Sequence, residues 1–147
     1  MKAEELRYKN LIQRKGVVYS VNDIFVASGL LTVLPTESEE TLGRVTIHDF
    51  EGIELTDEWL RKLGFTPNEN AYHTFPTSSN PQKKCYEWYV CEKIVLQNNV
   101  DSPPNLSIHY YNSYGNEETE TIMEVKFVHQ LQNLYFALTG NELTYTL

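Results

Sequence analysis

The chain has little of what usually announces a chemistry. Its 147 residues include two cysteines, Cys85 and Cys91, and four histidines, His48, His73, His109 and His129. None of the histidines pairs with a second His or Cys at a metal-ligand spacing, so neither a zinc finger nor a helical His-Glu-x-x-His site is present. A glycine-rich dinucleotide turn, a Gly-Lys-Ser/Thr phosphate loop and a Gly-x-Ser-x-Gly elbow are also absent. The longest apolar runs, such as Gly29 to Leu34, fall far short of the ~20 residues that cross a bilayer. Met1-Lys2-Ala3-Glu4-Glu5 leads into polar sequence without an apolar secretory segment, so a cytoplasmic protein with no membrane partner is expected. Both cysteines are then expected as free thiols. Placed on one strand, they would lie roughly 20 Å apart and could not bridge.

Positive charge is scarce as well. Twelve Lys and Arg face twenty Asp and Glu, for a net charge of −8. General nucleic-acid binding needs clustered cations to neutralise phosphates, and the chain has few to cluster. The exception is the N-terminus, where Lys2, Arg7, Lys9, Arg14 and Lys15 stand against Glu4 and Glu5. This local excess leaves open a nucleic-acid-associated module that uses the basic N-terminal strands, beside the simpler reading of a solvated strand surface.

What is present is short-period β patterning. Leu6 to Ile12 predicts a first strand, Lys15-Gly16 a turn, and Val17 to Val21 an alternating strand. Asn22-Asp23 predicts a turn before Ile24 to Val26, and Ser28-Gly29 a break. Leu30 to Leu34 then ends at Pro35, and Thr36 to Thr41 is an acidic loop. Arg44 to His48 resumes the pattern, and Glu51-Gly52 predicts a turn into Ile53 to Leu55. Short strands with turns every eight to twelve residues predict a small SH3-like or otherwise barrel-forming unit.

Two helices follow from local signals. Leu55 to Phe65 has Thr56 as N-cap, acidic Asp57 and Glu58 in the first turn, basic Arg61 and Lys62 in the last, and Gly64 as a stop. Leu55 and Leu60 are placed to form a hydrophobic staple. Near the C-terminus, Phe127, Leu131, Leu134, Tyr135 and Leu138 form one helical stripe that Gly140 terminates. His129, Gln130, Gln132 and Asn133 are expected mainly on the other side. His129 is expected at the surface or in a capping role, and the amides as structural glue between the two halves of the chain.

Between the helices, residues 66 to 71 form the weakest boundary, Tyr72 to Phe75 a short strand, and Pro76 to Pro81 a loop. Cys85 to Gln97 predicts one long strand, Leu106 to Tyr111 another, and Thr121 to Phe127 a third. The acidic Glu117, Glu118 and Glu120 are expected in a solvated turn. The expected fold is α+β. A small SH3-like β-barrel unit ends in a linking helix over residues 1–65, and an antiparallel sheet with a packed C-terminal helix follows over 66–147. The two are expected to pack as one compact unit.

Aromatic residues give the strongest hint of a binding surface. Tyr86, Trp88, Tyr89, Tyr110, Tyr111 and Tyr114 fall on neighbouring expected strands and the turn beyond, and alternation sends some of them outward. Tyr110, Tyr111 and Tyr114, beside Asn112, Ser113 and Asn116, are the candidate binding residues, since tyrosine offers rigid area with a polar tip. No catalytic, cofactor-binding or metal residues are expected, and an enzyme is not favoured.

Three segments carry a resemblance: Glu5-Leu6-Arg7 through Asn10-Leu11, Leu55-Thr56-Asp57-Glu58-Trp59-Leu60, and His129-Gln130-Leu131-Gln132-Asn133-Leu134-Tyr135-Phe136-Ala137-Leu138-Thr139-Gly140. Together they resemble a family of small uncharacterised proteins found in Bacteroidetes-type genomes, their phages and integrated elements. The resemblance implies a genomic setting and no transferable activity. The resulting expectation is an accessory or interaction module, encoded by a phage or mobile element, that binds another protein.

Overall fold

The computed structural model describes residues 1–37, 42–65, 85–91, 94–99, 105–111 and 117–146, with side chains for 1–37, 42–65 and 123–146. The strands are β1 (Leu11–Arg14), β2 (Val17–Phe25), β3 (Leu30–Pro35), β4 (Leu42–Thr46) and β5 (Glu51–Gly52). Helix α1 (Asp57–Lys62) follows, then β6 (Cys85–Cys91), β7 (Ile94–Asn99), β8 (Asn105–Tyr111), β9 (Glu117–Glu124) and helix α2 (Val128–Thr139). The described residues are α+β. They form two compact units: Met1–Glu54 with Phe127–Leu143, and Leu55–Lys126 with Thr144–Leu147.

The first unit is built on an antiparallel five-stranded sheet in the order β4-β3-β2-β1-β5. This sheet is open. Closing a barrel requires its edge strands to pair with each other. Here β5 is two residues long and, among the described residues, pairs only with β1, through Ile12–Gly52 and Gln13–Glu51. The expected SH3-like barrel is therefore not formed, and Glu51-Gly52 is a short edge strand where a turn was predicted.

Local backbone chemistry explains the other departures. Lys15 (φ 50°) and Gly16 (φ 78°) both adopt positive φ, as a two-residue type I′ hairpin turn demands, and join Arg14 to Val17 in register. The strand expected from Leu6 is cut short by Lys9, which is left-handed at φ 66°. Lys9 N–H donates to Val21 O at 2.7 Å and Val21 N–H to Asn10 O at 2.9 Å. Two residues thus oppose one in a bulge. Asn22-Asp23 is likewise no turn: β2 runs through it with a register shift between Val21 and Asp23.

Ile12, Val21, Leu31, Val33, Ile47 and Phe50 make a buried core with Ala3 and Leu6 of the N-terminal segment. Tyr19 meets Phe50 edge-to-face at 5.3 Å. Neighbouring strand residues point to opposite faces, yet both Leu11 and Ile12 are fully buried. β1 is therefore covered on both sides, and α2 lies against it. Val128 N–H donates to Ile53 O at 2.9 Å, and Glu54 bridges Phe127, which fixes where the helix begins. Gly140, at φ 72°, ends it and donates to Phe136 O at 2.8 Å.

Helix α2, which the sequence reading set on the later sheet, thus belongs with the first. Its orientation also differs. Val128, His129, Leu131 and Gln132 are buried, while Leu138 is 43% exposed. The helix is turned so that part of its polar side faces inward.

In the second unit α1 follows its local signals closely. The Thr56 hydroxyl accepts from Trp59 N–H at 3.3 Å. At the other end Phe65 N–H reaches Leu60 O and Gly64 N–H reaches Arg61 O, with Gly64 at φ 84°. This pair of bonds is a Schellman closure. Leu55, Leu60 and Leu63 are buried. The second sheet is an antiparallel meander, β6-β7-β8-β9. The single strand expected from Cys85 to Gln97 is instead a hairpin, with Cys91 opposite Ile94. No Gly, Pro or Asn marks that turn in the sequence. Cys85 and Cys91 stand at opposite ends of β6, paired with Asn99 and Ile94 respectively. Glu117, Glu118 and Glu120 lie in β9 rather than in a turn. Residues 66–84, with the strand expected over Tyr72–Phe75, lie outside the described residues.

Thr56→Ala removes a single helix cap, and its expected cost is about 1 kcal/mol in urea denaturation. Thr56→Ser should restore most of it.

Candidate functional site

Two features of the first unit could carry function: a buried polar seam along α2 and an unpaired sheet edge at β4. The seam is built from one stripe of α2. Gln132 is 3% exposed. Its Oε1 accepts from Leu11 N–H at 2.8 Å and its Nε2 donates to Lys9 O at 3.2 Å. One amide therefore satisfies a donor and an acceptor on either side of Asn10, as a neighbouring strand would. One face-position further, Asn133 Nδ2 donates to Glu5 O at 2.7 Å. Arg7 lies 3.6 Å over the Phe136 ring and pairs with Glu142 at 3.1 Å. Gln130 faces the helix start, where its Oε1 accepts from Phe127 N–H at 3.2 Å.

His129 belongs to the same stripe and is 1% exposed, contrary to the surface or capping role expected of it. Its ring stacks on Phe127 with centroids 5.6 Å apart and planes 9° apart. Gly52 makes room for this pair: a Cβ there would meet Phe127 Cδ1 at 2.8 Å and His129 Cε1 at 3.1 Å. Among the described residues neither imidazole nitrogen has a hydrogen-bond partner, nor do Arg7 Nη1, Asn10 Nδ2 and Asn133 Oδ1. Burial drives the His129 pKa down from 6.5 to about 4, with the Glu5 carboxylate opposing and the N-terminal ammonium adding to the shift.

At the other end of the sheet, β4 pairs with β3 on one side and has no partner strand on the other among the described residues. Leu31 faces Val45 and Leu30 faces Thr46 across this ladder. Beyond β3, Phe25 ends β2 and Val26 follows it, 37% and 53% exposed. Arg44 of β4 sits 4.8 Å over the Phe25 ring. Gly43 is exposed, with open space around the position of a Cβ. The open edge thus carries one cation, which reaches across the sheet to an exposed aromatic ring.

The residues singled out in the sequence are scattered over the fold. Tyr110 and Tyr111 lie on β8, opposite Glu118 and Glu117. Their side chains and the whole of Tyr114 lie outside the described residues. Arg7 is drawn into the seam, Arg14 lies 5.8 Å over Phe50, and Lys9 and Lys15 are exposed. His48 and Asp49 are exposed in a short 3-10 turn. His73 lies outside the described residues, as does the side chain of His109. Among the described residues no group of three or more His, Cys, Asp and Glu could hold a metal ion, and no helix is long and apolar enough to cross a membrane. Sequence reasoning missed the β4 edge with Phe25 and Val26. The only available sign was an apolar pair just before the Ser28-Gly29 break.

Gln132→Leu keeps the volume but strands Leu11 N–H and Lys9 O. It should lower stability by about 2–4 kcal/mol in chemical denaturation. Gly52→Ala should also destabilise, because the added methyl displaces the Phe127–His129 stack. For His129 the neutral form is favoured by folding. Its contribution is complete above pH 6.5 and is lost as pH falls toward 4. His129→Phe should therefore gain on the wild type by about 2.5 kcal/mol between pH 7 and pH 4.5, read from paired urea titrations.

No protein-family model matches the chain, and no curated protein and no solved structure matches it.

Proposed function

We propose that the protein is an accessory interaction module that binds another protein by strand addition at β4. The observation that carries this reading is the outer edge of β4, unpaired among the described residues, in a sheet whose exposed Phe25 lies under Arg44 of that strand. An added strand gains main-chain hydrogen bonds along such an edge, and adjacent apolar side chains supply specificity. The family resemblance adds the setting of a phage or mobile element. The reading needs no chemistry from the module itself, and the Tyr110, Tyr111 and Tyr114 region is a second contact surface within it.

A nucleic-acid role is the weaker alternative. Of the basic N-terminal residues, Arg7 is committed to Glu142 and Phe136, which leaves Lys2, Lys9, Arg14 and Lys15 to meet phosphates.

Affinity capture from host lysate, with and without nuclease, tests the reading when wild type is compared with Gly43→Lys and Val26→Asp. A discrete, nuclease-resistant protein partner is expected, bound at least about tenfold more weakly by each variant. Equal capture by both variants would refute the β4 edge. Loss of the signal on nuclease treatment would move the site to Lys9, Arg14 and Lys15.

A further inference from the structure

His129 is enclosed from several sides. Phe127 covers one face of the ring, and Gly52 of β5 approaches its Cε1 edge. The N-terminal segment is held beside it by the next positions of α2: Asn133 binds Glu5 O, Gln132 binds Lys9 O, and Phe136 underlies Arg7. The charges acting on the ring come from that segment, namely the Glu5 carboxylate and the Met1 ammonium. Phe127 and Gly52 bring no charge, Glu51 next to Gly52 is exposed, and α2 itself contains no Asp, Glu, Lys or Arg. Among the described residues neither ring nitrogen has an acceptor or donor in place.

We propose that His129 is an acid-sensitive latch, whose protonation releases the N-terminal segment Met1–Asn10 from α2. An imidazolium carries two N–H donors and needs water or acceptors for both. The fully enclosed ring has neither, so a proton taken from solvent is accommodated only when one wall moves away. The N-terminal segment is the wall most easily moved. Its ties to α2 are side-chain contacts, its backbone bonds to the sheet at the Lys9–Val21–Asn10 bulge, and Ala3 and Leu6 hold it by packing on the core. Lifting it hydrates the ring and so satisfies the two N–H donors of the imidazolium. Release also uncovers Ala3 and Leu6, now 7% and 6% exposed, together with the inward face of Gln132. This switch is independent of what binds at β4.

Amide hydrogen exchange, expressed as protection factors, tests the latch. Lys9 and Leu11 report the segment, through their bonds to Val21 O and Gln132 Oε1. Val33 and Leu31 report the sheet. With a ring pKa of about 4 when closed and 6.5 when open, protection of Lys9 and Leu11 should fall about 20-fold relative to the sheet between pH 7 and pH 5. His129→Phe should abolish that fall. The same fall in His129→Phe, no fall in wild type, or an equal fall across β3 would each overturn the proposal. Should His129→Phe not fold, the wild-type imidazole Cε1 proton decides. Loss of protection that tracks its titration supports the latch, and loss without such titration refutes it.

Discussion

The first unit depends on one amide being buried where a leucine would be commoner. A bulge at Lys9 turns the backbone of residues 9–11 so that Lys9 O and Leu11 N–H face α2 rather than another strand. Unsatisfied, each would cost roughly 1–3 kcal/mol. Gln132 fills both positions with a single side chain, and its Nε2 also reaches Leu143 O at 3.5 Å. That requirement sets the rotation of the helix. Once Gln132 faces inward, its neighbours on the stripe, His129 and Asn133, must turn inward too. The buried histidine without partners follows from the placement of the glutamine.

The same sheet solves its two edges differently. On the β5 side, only two residues pair, and the chain passes at once to Ile53 and Glu54, which are tied to the start of α2. On the β4 side the ladder ends at a five-residue strand whose one charge is Arg44. Natural sheets commonly blunt such edges with charge, proline or cover. Here a single arginine is drawn over Phe25. A weakly protected edge beside exposed apolar side chains is a recurrent setting for strand addition, and the proposed function rests on it.

How much of this could be read from sequence followed the range of the interactions. Helix α1 was fully legible because every signal lies within eleven residues: Thr56 caps it, Gly64 closes it, and Glu58 and Lys62 pair one turn apart at 2.7 Å. The Lys15-Gly16 turn and the Gly140 stop were legible for the same reason. The face that α2 buries was not, because its determinant, the Leu11–Gln132 bond, spans 121 positions. Apolar spacing pointed to Leu134, Tyr135 and Leu138, whereas backbone hydrogen bonding selected Gln132. The β6–β7 hairpin was hidden because its turn lacks the usual residues. The acidic run of β9 was misread because charge suits an edge strand as well as a loop. The candidate tyrosines could be placed on strands but not weighed as a surface, and the β4 edge became visible only once strand order was known.

The most direct test of the account is the hydrogen bond on which the first unit turns. A through-bond NMR coupling across it, from the Leu11 amide nitrogen to the Gln132 side-chain carbonyl carbon, is the measurement to make. The account predicts a resolved cross-peak between these two nuclei at neutral pH. A folded protein that shows backbone couplings in β1–β2 but none at Leu11–Gln132 would contradict it, and the inward face of α2 would then have to be reassigned.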